Sequence, residues 1–200
     1  MRWIHKKQAG RVALALCLLA SLVLARLWYL DEQGNFHAVT AGEAYRSAQM
    51  DRDELEHYVR AFGIRTVVNL RGGQRGAAWY DEEVATCRAL GVGHVDIALS
   101  ATSAPAPAKL RRLLSIFRSA PRPILVHCKS GADRSGLAAA LWKLVIDGES
   151  AKSAARQLSL RYGHMPLGPT QAMDRCLDRL AGEGGYRGRA LTATTLTSSS

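Results

Sequence analysis

The sequence predicts an α/β domain with a mostly parallel sheet flanked by helices and preceded by an N-terminal transmembrane helix. Three observations lead there. From about residue 31 to 181, short β-branched runs alternate with stretches whose apolar residues recur at helical spacing, the pattern of parallel strands joined by crossover helices. The run Ile124-Leu125-Val126 follows two prolines and leads directly into a polar, glycine-containing loop and a helix. The first thirty residues differ in kind, being basic and then almost wholly apolar.

Those thirty residues come first. Arg2, Lys6, Lys7 and Arg11 precede any acidic residue, and Val12 to Ala25 is uncharged. Arg26 interrupts the run, and Leu27, Trp28, Tyr29 and Leu30 continue it. From Val12 to Leu30 the segment would span about 28 Å as a helix, enough to cross a hydrocarbon core. Arg26 lies near one end, where it can snorkel, and Trp28 and Tyr29 suit the interface. Residues 1–30 therefore read as a basic segment and signal anchor. The basic end stays cytoplasmic, and the following domain is placed in the periplasm of a bacterial inner membrane. Val23-Leu24-Ala25 is also a tolerable cleavage site, so a removed signal peptide competes with the anchor. A buried core helix fits less well, because no polar face is present.

The remaining elements follow in order. Phe36–Thr40 reads as a short strand. Asp51–Phe62 reads as a helix, with Leu55, Tyr58, Val59 and Phe62 on one face. Ile64–Leu70 is β-branched and of strand length. Ala77–Leu90 is helical and Gly91 stops it, and Val92–Leu99 is another strand. Ala101–Ala108 is a loop rich in Ala and Pro, and Lys109–Ser119 a helix. Helices at Ser135–Asp147, Ser150–Tyr162 and Pro169–Leu180 complete a domain over residues 31–181. Residues 182–200, rich in Gly, Thr and Ser, read as a disordered tail.

Composition narrows the function. The chain has 200 residues, 48% hydrophobic and 22% charged, which suits one globular domain with an appendage. Cys17, Cys87, Cys128 and Cys176 form no CxxC pair, which argues against a zinc ribbon and a dense disulfide framework. The formal charge of +10 points to an anionic partner. Nucleic acid is disfavoured, because no basic strand interleaved with aromatics and no recognition-helix pattern is present.

The chemistry gathers in His127-Cys128-Lys129-Ser130-Gly131-Ala132-Asp133-Arg134-Ser135-Gly136. A strand, a tight loop and a helix N-terminus make an anion site, since successive N–H groups point inward and the helix dipole adds positive potential. Gly131 lets the backbone bend close to a ligand. Arg134 can hold two phosphate oxygens at once, and the same field favours the nucleophilic thiolate of Cys128. Nucleophilic phosphoryl transfer then needs no metal and no cofactor.

This stretch resembles the HCxxGxxR[S/T] signature of the cysteine-dependent protein tyrosine phosphatase superfamily, matching it at His127, Cys128, Gly131, Arg134 and Ser135. Tyr45–Gln49 and Gly63–Arg71 resemble early segments of atypical dual-specificity phosphatases, so the likeness covers roughly Ala44–Leu180. It implies a phosphatase that works through a cysteinyl-phosphate on Cys128. Arg134 and the loop from Lys129 through Ser130, Gly131, Ala132 and Asp133 would bind the phosphate. Ser135 would donate to the Cys128 sulfur as it leaves, and His127 would support the thiolate from behind. Rhodanese and arsenate reductase also use a cysteine in an anion loop, but the flanking His127 and Arg134-Ser135 favour the phosphatases. A catalytically idle phosphate-binding scaffold is the competing class, although such proteins usually lose the cysteine or the arginine.

The general acid is less direct. Relatives commonly place an Asp about thirty residues before the cysteine. Asp96 precedes Cys128 by 32, yet it falls inside a predicted strand rather than after it. Asp133 is the second candidate, because the Gly-x-Asp-Arg form resembles superfamily members acting on lipids and phosphoinositides, where that Asp is thought to be the acid. The reading favours Asp133; the alternative for it is a loop-bracing carboxylate paired with a neighbouring Arg. Lys129, Arg71 and Arg46 are candidates for lining the pocket, structural pairing being the alternative for both arginines. Substrates in view are phosphotyrosine or phosphoserine/threonine proteins and phospholipids or inositol phosphates.

Overall fold

The structure, a computed structural model, describes residues 11–12, 14–25, 28 and 34–182. Two compact units divide the chain after Gln33. In the first, the described residues are helical and their apolar side chains are exposed, among them Leu14, Leu18, Leu22 and Leu24. Among the described residues no helix is long and apolar enough to cross a membrane. Leu27, Tyr29 and Leu30, which the predicted anchor needs for its full length, lie outside the described residues, as does nearly all of the predicted tail.

In the second unit the strands are β1 (His37–Thr40), β2 (Ala44–Ser47), β3 (Thr66–Asn69), β4 (Gly93–Asp96) and β5 (Ile124–His127). They form one sheet in the order β1-β2-β5-β3-β4, with β1 antiparallel to β2 and every other pairing parallel. The predicted mostly parallel sheet is present. Its centre is β5, so the loop after β5 leaves from the middle of the carboxyl edge, where open α/β sheets bind ligands.

The residues of β5 show why the sheet is covered on both faces. Ile124 and Val126 join one core cluster, and Leu125 joins the other, as the two-residue period of a strand requires. On the first face lie helices α3 (Pro107–Ser119), α4 (Asp133–Leu141) and α6 (Ala172–Gly182), contributing Phe117, Leu137 and Met173. On the second face Leu55 and Val59 of α1 (Arg52–Phe62) and Cys87 of α2 (Ala78–Ala89) pack on Tyr45 and Val67. Helix α1 is fixed at both ends. Asp51 and Glu54 form a reciprocal capping box, and Gly63 closes the last turn in the left-handed conformation.

Three elements differ from the sequence reading. Ala44–Ser47 is a fully buried strand that carries no β-branched residue to signal it. The predicted helix Ser150–Tyr162 is helical only at α5 (Ala151–Ala155), then breaks into turns and a 3-10 turn at Leu160–Tyr162. That break frees the carbonyl of Gln157 to bond across the fold. The helix from Asp133 passes into a π-helical turn at Trp142–Ile146.

Candidate active site

The register lines up the site before any side chain is considered. Ser47, His127, Asn69 and Asp96 are successive partners across the carboxyl ends of β2, β5, β3 and β4. Cys128 follows at once, only 1% exposed. The loop then folds over Gly131, whose φ of 70° is left-handed. A Cβ there would lie 2.7 Å from both the Ala48 nitrogen and the Ser47 carbonyl carbon, closer than atoms pack. Only glycine fits.

Four consecutive carbonyls of the loop are held by residues outside it. The Lys129 carbonyl accepts from the Gln49 amide at 3.2 Å, and the Ser130 carbonyl accepts from Asn35 Nδ2 at 2.9 Å. Arg46 Nη2 donates to the carbonyls of Gly131 at 2.6 Å and Ala132 at 3.0 Å. Turning four consecutive carbonyls outward leaves the opposite side to the N–H groups, which is how a backbone anion nest is built. Helix α4 begins immediately and no side chain caps it, so its first-turn donors face the same space.

Arg46 therefore works behind the loop and does not line the pocket. It is fully buried, its Nη1 also bonds the Gln157 carbonyl at 2.6 Å, and its guanidinium stacks 4.2 Å from the Tyr162 ring centroid. Burial pushes its pKa down to about 10, against the opposing influence of Tyr162, Cys128 and Asp133. Asn35, also buried, ties the loop to the Tyr162 carbonyl at 3.0 Å. Arg134 points differently. Its Nη1 makes only a 3.5 Å contact with the Leu99 carbonyl. Both arginines have a buried Nε without a hydrogen-bond partner among the described residues, but the Nη atoms of Arg46 are taken by backbone carbonyls and those of Arg134 are not tightly held. An unsatisfied buried donor costs about 1–3 kcal/mol, and at a helix N-terminus the natural acceptor is an anion's oxygen.

The remaining predicted residues fall around this frame. Lys129 and Ser130 are exposed at the rim. Ser135 is buried, and its hydroxyl donates to the Ser47 carbonyl at 3.3 Å rather than to the Cys128 sulfur. His127 Nε2 lies 3.1 Å from Glu83 Oε2. The same carboxylate takes His94 at 2.7 Å and Gln49 at 2.5 Å. Burial works to raise the Glu83 carboxyl, but the adjacent His127 imidazole and its charge, with hydrogen bonds from His94 and Gln49, hold it at about 2. Arg71 stacks 3.4 Å over the Trp79 ring, donates to Gln49 Oε1, and is lowered by burial and by the charge of Arg134.

The two candidate acids sit apart in character. Asp96 ends β4, with Oδ1 accepting from Asn69 Nδ2 at 2.8 Å and Oδ2 from the Tyr80 hydroxyl at 2.6 Å. Asp133 opens α4, and its partner is not an arginine. Oδ1 lies 2.7 Å from His164 Nδ1. Asn35, Glu83 and His164 carry no motif signal in the sequence. They are recognisable only through the partners that the fold brings to them.

The comparisons agree with this frame. No curated protein matches the chain. Among solved structures, TpbA of P. aeruginosa is 21% identical, with 72% of this chain and 83% of that one covered at a TM-score of 0.55. The core catalytic domain of the PP-IP phosphatase SIW14 from S. cerevisiae is 19% identical, with 77% and 94% covered at 0.56. PTPMT1 is 14% identical, with 72% and 95% covered at 0.56. At these identities the likeness is one of fold. Residues 32–172 match the family described as "DSP-PTPase phosphatase fused to NAD+ Kinase". The chain belongs to that family and is an atypical dual-specificity cysteine phosphatase by descent.

Proposed function

We propose that the chain hydrolyses phosphomonoesters through a cysteinyl-phosphate, with Cys128 as nucleophile and Arg134 and the amides of Lys129 to Arg134 holding the phosphoryl oxygens. The observation that carries this is the unpartnered, buried Nε of Arg134 beside a loop whose four carbonyls face outward, next to buried Cys128. Donors fixed in place before the reaction stabilise the charge that grows on the phosphoryl oxygens without reorganising. Asp133 serves as the acid that protonates the leaving oxygen. Asp96, satisfied by two neutral donors, braces the ends of β3 and β4.

The substrate class is multiply phosphorylated or lipid-like. Lys129 at the rim and Arg71, within the field of Arg134 and propped on Trp79, place cationic charge beyond what one phosphate needs. A variant of TpbA has been crystallised with pTyr, so a phosphotyrosine protein is the alternative to test. The N-terminal segment serves as a membrane anchor that leaves the catalytic domain in the periplasm. Its support is the apolar run and the exposed leucines of the described helical residues.

Assays on phosphotyrosine peptides and phosphoinositide vesicles test the substrate reading, and a strong preference for peptides would reverse it. Cys128→Ser should lower turnover at least ~10³-fold while phosphate still binds. A wild-type chain that binds but never forms phosphocysteine would instead be an idle scaffold. Membrane fractionation, with a reporter fused after Ser200, tests the anchor and its orientation.

A further inference from the structure

The acid at the loop has a partner that the reaction as described does not use. His164 is fully buried between the 3-10 turn Leu160–Tyr162 and helix α6. Its Nδ1 lies 2.7 Å from Asp133 Oδ1, and its Nε2 lies 3.0 Å from Asp174 Oδ2. The side chains of Asp133 and Asp174 are 19% and 30% exposed, while the ring between them is at 0%. Asp133 and Asp174 are the charged groups that act on His164, and the buried Arg46 of β2 is within the field of Asp133. Tyr162 and Arg161 stand on the turn that leads into His164.

Proton counting gives this geometry its meaning. A neutral imidazole has one N–H. If that hydrogen is on Nε2 toward Asp174, Nδ1 is an acceptor, and the contact with Asp133 is a hydrogen bond only when Asp133 carries a proton. If both ring nitrogens are protonated, both carboxylates are ionised. The two arrangements hold the same number of protons. The pair Asp133–His164 therefore keeps one proton at the loop in either form. Burial works against charge on the ring, but the hydrogen bonds to Asp133 and Asp174 outweigh it, so His164 stays protonated to higher pH than its ordinary 6.5.

We propose that His164 is the positioning residue that stores the proton Asp133 delivers, with Asp174 fixing the ring from the solvent side. The inference rests on the reading of Asp133 as the acid. As the Cys128 sulfur–phosphorus bond forms and the ester P–O bond breaks, the proton on the Asp133 carboxyl passes to the leaving oxygen. The alcohol departs, leaving an ionised Asp133 and a neutral His164 that keeps its Nε2–H toward Asp174. In the second step water attacks phosphorus, the S–P bond breaks to return the thiolate, and the water's proton goes back to Asp133–His164. One water is consumed, and the site regains its starting protonation.

The test compares leaving groups in the full chain. 4-Nitrophenyl phosphate leaves without protonation, whereas phenyl phosphate requires it. His164→Gln keeps a polar amide but cannot hold a mobile proton. It should lower kcat/KM for phenyl phosphate about 10²-fold, change 4-nitrophenyl phosphate less than about threefold, and move the basic limb of the phenyl phosphate profile to lower pH. Asp174→Asn should move that limb in the same direction by less. Equal loss on both substrates with the limb unmoved would overturn the proposal and leave His164 a packing residue. Asp133→Asn separates the two levels. If it shows the leaving-group-selective loss and His164→Gln does not, the storage role fails and the acid reading stands. If Asp133→Asn shows no such loss, the acid reading itself fails. Should His164→Gln not fold, imidazole ¹⁵N titration of the wild-type chain and Asp133→Asn decides. The His164 midpoint should fall without the Asp133 carboxylate, and an unchanged midpoint would overturn the proposal.

Discussion

The reactive loop is flanked by two carboxylate–histidine clusters of opposite stoichiometry. At its start, one carboxylate lies between two imidazoles: Glu83 touches His127 and His94. At its end, one imidazole lies between two carboxylates: His164 touches Asp133 and Asp174. The same two functional groups are thereby given opposite tasks. A buried carboxylate with two imidazole partners and Gln49 is held ionised, its pKa near 2. It is a fixed negative charge beside His127. An imidazole with two carboxylate partners is held protonated, which makes it a proton store. The group in excess sets which form of the minority group is stabilised, and each form is placed where the proposed two-step displacement would use it.

The strongest challenge to this contrast is to remove the acid's carboxyl while keeping its shape. Asp133→Asn should lower kcat for phenyl phosphate or an alkyl phosphate by about 10²–10³-fold and leave 4-nitrophenyl phosphate nearly unchanged. Asp96→Asn, on the other side of the site, should change either substrate by less than about tenfold. If the two variants exchange these outcomes, the proton store is at the wrong carboxylate and the comparison collapses.

How much of this was legible in the sequence follows from how local each feature is. Cys128, Gly131 and Arg134 lie within one short run whose spacing specifies the loop, and the strand-loop-helix context is equally local. The braces are not local. Asn35, the pair Arg46 and Gln49, and His164 come from three segments, and their partners are mainly backbone carbonyls or a side chain from another segment. Arg46 shows the difficulty most clearly. An arginine in a phosphate-binding protein reads as an anion ligand, and only its complete burial against the Gly131 and Ala132 carbonyls gives it the opposite position. Asp133 was legible as a candidate acid, but its histidine partner, 31 residues on, was not.

Loss of Arg46 should have the next largest effect, because it supports the loop without touching either cluster's imidazole. Arg46→Met keeps the length of the side chain but leaves the Gly131 and Gln157 carbonyls without their donor. Leaving buried carbonyls without their donor costs about 1–3 kcal/mol each, read as a drop in urea midpoint at unchanged slope. Activity should fall for both leaving groups alike, since the nest and not the acid is damaged. A leaving-group-selective loss here would mean that Arg46 acts through Asp133 and would blur the distinction between frame and proton store.

Glu83 tests the fixed-charge end through pH. Its folded pKa, about 2, lies below its ordinary 4.5, so its contribution to stability is fully present above about pH 4.5 and is lost as pH falls toward 2. The shift corresponds to something on the order of 3 kcal/mol. Glu83→Gln should therefore be less stable than wild type near neutrality, and the gap should narrow as pH is lowered below 4.5. Urea unfolding at a series of acidic pH values measures it, and a pH-independent gap would show that Glu83 contributes shape rather than charge.

The smallest effect is expected at Tyr80, which tests whether Asp96 belongs to neither cluster. Its hydroxyl donates to Asp96 Oδ2 at 2.6 Å, and that bond, ahead of burial and the carboxylate's charge, pushes the phenol up to about 12. Across neutral pH the phenol remains a donor and Asp96 an acceptor, so no proton moves between them. Tyr80→Phe removes one hydrogen bond to a charged group and should cost about 1.5 kcal/mol of stability. It should leave the basic limb of the phenyl phosphate profile in place, because Asp96 is tied by neutral donors with no imidazole to exchange with. A shifted limb in Tyr80→Phe would show that Asp96 reaches the leaving group once it is released. The two carboxylates would then have to be treated as alternative acids in one site, with Tyr80 deciding between them.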